Sequence, residues 1–67
     1  MKILDRENKE LKALRVKNDL TLAGMAEILG LAMDTYRLKE KGIRQFTERE
    51  IKKIVTYFNV KFEDIFL

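Results

Sequence analysis

Apolar residues recur at helical spacing in successive stretches of the chain, each closed by polar residues or glycine. Leu11 and Leu14 lie on one stripe, with Leu4 packing just before it. Asp5 or Asn8 can cap this first helix, which runs to about Lys17 and ends at the turn signal Asn18-Asp19. From about Thr21 to Leu29, the residues Leu22, Met25, Ala26 and Leu29 fall at i, i+3, i+4 and i+7, with Thr21 as N-cap. Gly30 then turns the chain at no steric cost. Gly24 inside this helix costs roughly 1 kcal/mol relative to Ala, and close approach of another helix is the expected reason. A third helix, about Ala32 to Lys41, starts weakly because an Ala side chain cannot accept backbone N–H bonds, and Gly42 serves as its C′ residue.

After a loop from Ile43 to Phe46, the run Thr47-Glu48-Arg49-Glu50 is a capping box with two acids in the first turn of a fourth helix. Ile51, Ile54, Val55 and Phe58 line its apolar face, and Asn59 can end it. Phe62, Ile65 and Phe66 form a last helical turn that folds back as a lid on the core. The pattern predicts an all-α fold of five helices. With 67 residues, 46% of them apolar, and no Pro, the expectation is one domain over 1–67 whose helices share one core. Two short helices joined by a turn containing Gly, here about 21–41, are the architecture of a helix-turn-helix, whose second helix lies in the major groove of DNA.

Charge and chemistry narrow the function. The chain has neither Cys nor His, which excludes disulfides and thiolate metal sites, and it has no Gly-rich phosphate loop and no carboxylate pair in an apolar setting. Glu48 and Glu50 are explained as capping residues and Glu63-Asp64 as the acidic start of the last turn. The expectation is therefore no enzyme, no cofactor, no metal and no small-molecule ligand. Met1 to Leu14 lacks an apolar run long enough for a signal peptide or membrane span, so a cytoplasmic protein without a membrane partner is expected. The formal charge is +3, and residues 32–46 carry +2 of it through Arg37, Lys39, Lys41 and Arg44 against Asp34 and Glu40. The excess sits on and just after the third helix, where a polyanion would meet it.

Taken in register, Leu11-Lys12-Ala13-Leu14-Arg15, Leu20-Thr21, Met25-Ala26-Glu27, Leu29-Gly30-Leu31 and Glu40-Lys41-Gly42 resemble the Cro/CI-type (Xre) helix-turn-helix family. The similarity covers about 8–66, including the tail from Asn59 to Phe66. Thr35-Tyr36, Lys39-Glu40, Arg44 and Phe46-Thr47 resemble the version found in small repressors of phages and mobile elements of Gram-positive bacteria. The resemblance implies a five-helix, lambda-repressor-like domain that binds double-stranded DNA as a homodimer and represses transcription from an operator. It also implies a structural ion pair between Arg15 and Glu40.

If Tyr36 and Glu40 point inward, as the family register implies, Met33, Asp34, Arg37, Leu38 and Lys41 point outward. Arg37 can then pair with guanine, Asp34 can accept from cytosine, and Met33 or Leu38 can pack on a thymine methyl. Lys39, Lys41 and Arg44, with Thr21 and the start of the second helix, would hold phosphates. Leu22 and Ala32 stand where family members often carry Gln and Ser, so two polar anchors are apolar in this chain. Spacing alone lets Leu22 join the core face instead. Leu31, Thr35 and Leu38 also form a stripe, so a rotated third helix would bury Leu38 and expose Tyr36. Tyr57, Phe62, Phe66 and Leu67 are the expected dimer contacts. The competing function is a protein-interaction module of antirepressor or antitoxin type, gripping a partner through Leu22, Met33 and Leu38.

Overall fold

Helix boundaries fall where the capping chemistry sits. The structure is a computed structural model and describes residues 7–67, so the alternative cap Asp5 and the packing of Leu4 lie outside the described residues. Helix α1, Lys9–Lys17, is capped by Asn8, whose side chain accepts the Leu11 N–H at 2.9 Å. Helix α2, Leu22–Leu29, starts at Thr21, whose Oγ1 accepts the Gly24 N–H at 3.0 Å. Gly30 ends it with φ 72°, a left-handed conformation that costs glycine nothing. Helix α3, Met33–Glu40, has no side-chain cap at Ala32. Helix α4, Glu48–Phe58, opens on a complete capping box between Thr47 and Glu50 and stops at Asn59. Helix α5, Phe62–Phe66, closes the chain. Among the described residues the fold is all-helical, and no helix is long and apolar enough to cross a membrane.

Each helix contributes its stripe to one core made of Leu11, Met25, Ala26, Leu29, Tyr36, Ile54 and Ile65. α2 packs most broadly on α3 and also touches α4, while α1 packs against α5. Ile65 is buried and Phe66 half-buried, so the last turn does lie on the core. A chain of rings runs from α3 to α5: Tyr36 to Phe46 at 6.1 Å, Phe46 to Phe66 at 5.8 Å, and Phe66 to Phe62 at 5.5 Å between centroids. Such pairs contribute beyond the area they bury.

Gly24 corrects one expectation. A Cβ there would meet Leu20 Cδ2 at 3.3 Å and Thr21 Oγ1 at 3.4 Å. The crowding comes from the turn and cap that precede α2, not from a neighbouring helix.

Candidate nucleic-acid interface

The placement of α3 is set by two buried ionic contacts made by adjacent residues. Glu40 receives the Arg15 guanidinium in a fork, with Nε donating to Oε2 at 2.9 Å and Nη2 to Oε1 at 3.2 Å. Arg15 Nη1 also donates to the Leu20 carbonyl at 2.9 Å, which ties α1 to the turn before α2. The Tyr36 hydroxyl donates to Glu40 Oε2 at 2.6 Å, so the buried phenol has the partner that burial demands. Burial and this bond to Glu40 raise the Tyr36 phenol well above its ordinary value. The bond to Glu40, opposed by burial, makes the Arg15 guanidinium still harder to deprotonate.

Lys39 makes the second contact. Its Nζ donates to Glu50 Oε1 at 2.6 Å, and the two side chains are only 7% and 11% exposed. The same Glu50 oxygen accepts the Thr47 N–H at 2.9 Å, so the carboxylate that caps α4 also anchors α3. Burial pushes the Glu50 carboxyl up, but the bonds from Lys39 and the Thr47 backbone outweigh it and hold its pKa below the ordinary range. This corrects the expectation that Lys39 holds phosphate: its ammonium is consumed inside the protein. It also adds a partner to Glu50, which the sequence explained as a cap alone.

These contacts settle the rotation of α3. Tyr36 is fully buried and Leu38 half-buried, so the alternative register with Tyr36 outside does not occur. Ala32, Met33, Asp34 and Lys41 are exposed, and Arg37 is partly exposed. Arg37 lies folded on Asp34, whose Oδ1 accepts from Nε at 2.9 Å and Nη2 at 2.8 Å. Lys41 and Arg44 are exposed and make no ion pair among the described residues. Leu22 is half-buried against the core, so it is not the free outward side chain that a DNA contact requires. The exposed Thr21 spends its oxygen on the α2 cap. Toward the C-terminus Tyr57 is 60% and Leu67 81% exposed, Phe62 is exposed and Phe66 half-buried.

Two short helices turning at Gly30, with the second locked in rotation and showing an outer face of Met33, Asp34, Arg37 and Lys41, make a helix-turn-helix unit. A family model described as Helix-turn-helix matches residues 11–65, and the chain belongs to that Cro/CI-type, Xre-like family. It is thus a DNA-binding helix-turn-helix regulator with a lambda-repressor-like helical fold. No curated protein and no solved structure matches the chain.

Proposed function

We propose that the protein represses transcription by occupying a palindromic operator as a homodimer, with α3 of each copy in the major groove. The observation that carries this reading is the α3 surface: Met33, Asp34, Arg37 and Lys41 share an outer face whose rotation is fixed by Glu40 and Lys39 on the inner side. Asp34 holds the Arg37 guanidinium through Nε and Nη2. Its remaining N–H groups are then free to meet guanine O6 and N7, a pairing worth about 1–3 kcal/mol of discrimination. In this reading Asp34 orients Arg37, and Met33, 51% exposed, packs on a thymine methyl. Lys41, Arg44 and the N–H groups that open α2 hold phosphates.

The dimer contact is formed by the end of α4 and α5, where Tyr57, Phe62 and Leu67 are exposed and Phe66 is half-buried. An isologous contact through this apolar patch would set two α3 helices one turn of DNA apart.

Selection of bound duplexes from a random pool, followed by salt titration of the selected site, tests the reading. A palindrome with half-sites about one helical turn apart, bound with affinity that falls steeply with salt, is the expected result. Failure to enrich any motif overturns it, and the apolar residues Met33 and Leu38 then mark a protein-docking face.

A further inference from the structure

Residues 47–67 are neutral in sequence, but the fold sorts their charges. Of the four carboxylates, Glu50 is buried on Lys39, Glu63 and Asp64 belong to α5, and Glu48 sits at the first residue of α4. The outer face of α4 keeps the cations. Arg49, Lys52 and Lys53 are exposed, and none makes an ion pair among the described residues. They surround a shallow open depression whose other walls are Thr56 and Tyr57. Glu48, at the edge of this face, is also without an ion pair among the described residues.

From this arrangement we infer that the α4 face is a second phosphate-binding track, which takes the sugar-phosphate backbone of the same DNA duplex that α3 reads. Three observations choose this occupant. First, the start of α4 is tied to the reading helix: Glu50, the neighbour of Arg49, is bonded to Lys39 in the last turn of α3. The exposed cations Lys41 and Arg44 of the connecting loop lead from one to the other. Second, Arg49 and Lys53 are one helical turn apart, about 6 Å along the axis, so both can engage one run of backbone phosphates. Third, a second copy of the chain is a poor occupant, because an isologous contact would set like charges against each other. Tyr57, a wall of the depression, is also a proposed dimer contact, so the track and the dimer patch adjoin at that residue.

The inference rests on the DNA-binding reading, and its test separates the two. The intact chain and the variant carrying Arg49→Gln, Lys52→Gln and Lys53→Gln are titrated with two 30-base-pair duplexes, one holding the selected site and one of scrambled sequence, between 50 and 200 mM salt. All three side chains lie opposite the core, and a thermal melt checks that the variant folds. Loss of about three phosphate contacts lowers the salt slope by about 2.7, so the variant's deficit at 50 mM exceeds that at 200 mM by about 40-fold. The deficit is equal on both duplexes, and base preference is unchanged. Arg37→Ala, by contrast, relaxes preference on the selected site. Wild-type slope and affinity in the folded triple variant overturn the inference, leave α3 readout intact, and turn the α4 face into a protein contact. Loss of slope on the scrambled duplex with no site ever selected upholds the α4 track and overturns the sequence-specific operator. No binding of the intact chain to either duplex overturns both.

Discussion

Replacing Lys39 by Met separates a phosphate contact from an internal strut. A lysine on the DNA would leave stability untouched when removed, weaken binding to every sequence and lower the salt slope by about one. The structure demands the opposite. Lys39→Met leaves Glu50 as a nearly buried carboxylate with no cation, and removing one partner of such a pair costs about 3–5 kcal/mol. Because Glu50 keeps the Thr47 N–H at 2.9 Å, the loss is set at about 3 kcal/mol, the low end of that range. A chain of this length has only about 3–10 kcal/mol of stability. The melting temperature, followed by circular dichroism, should therefore fall by about 12–24 °C.

Two controls sharpen the case. Lys39→Met with Glu50→Gln leaves no buried charge and recovers most of the loss. The deficit of the single variant also narrows in acid. In the intact protein the Glu50 pKa is depressed, so its contribution is present above the ordinary glutamate value of 4.5 and is lost as pH falls through the folded value. Without Lys39 there is little left to lose. A Lys39→Met protein that melts within a few degrees of the parent, yet binds DNA with a shallower salt slope, would refute the strut.

Further outcomes follow from the same geometry. Tyr36→Phe removes a 2.6 Å bond to a charged acceptor and should cost about 1.5–3 kcal/mol in denaturant unfolding near pH 7. Because the folded phenol's pKa is raised, that contribution is complete below pH 10.0 and is lost as pH rises above it, so the two proteins converge in alkali. Arg37→Ala should relax selection at one base pair of each half-site by about 1–3 kcal/mol, measured against single-base operator variants, with little change in melting temperature. Gly24→Ala should stabilise by about 0.5 kcal/mol, since the Cβ meets the flexible end of Leu20 at 3.3 Å and helix propensity favours Ala, and a loss of more than about 1 kcal/mol would mean that Leu20 cannot shift.

The elements were legible because each has a local cause: Asn8, Thr21 and Thr47 cap, Gly30 turns, and the apolar stripes face one core. The capping box of α4 was complete in four consecutive letters. What escaped the sequence was the pairing of Lys39 with Glu50 across space, whereas the Arg15–Glu40 pair was expected from the family resemblance. With Tyr36 inward, Lys39 three residues on and Glu40 four residues on must flank it on either side, so helical spacing held a signal that both are inward. A positive charge on a DNA-reading helix reads more readily as a phosphate contact, and nothing local links Lys39 to Glu50. The basic face of α4 was hidden for the same reason, because summed charge is zero until burial of Glu50 removes a carboxylate from the surface. Gly24 showed that something was close, but only the fold shows that Leu20 is what it meets.

Why two ionic contacts should hold α3, when apolar side chains of similar volume often give more stability, follows from what the helix has to do. A buried apolar stripe tolerates rotation, and α3 carries a competing one in Leu31, Thr35 and Leu38. Turning α3 onto that stripe would withdraw Glu40 from Arg15 and Lys39 from Glu50 at once, stranding the Arg15 guanidinium and the Glu50 carboxylate in the core margin. Each stranding, at about 3–5 kcal/mol, exceeds the roughly 1.5–3 kcal/mol that full burial of Leu38 could return. Adjacent residues of opposite charge, pulled toward α1 on one side and α4 on the other, therefore select one rotation by penalising the alternative. That choice keeps Arg37 and Asp34 outward together, and a contact that must be placed within about half an ångström of a base edge depends on it.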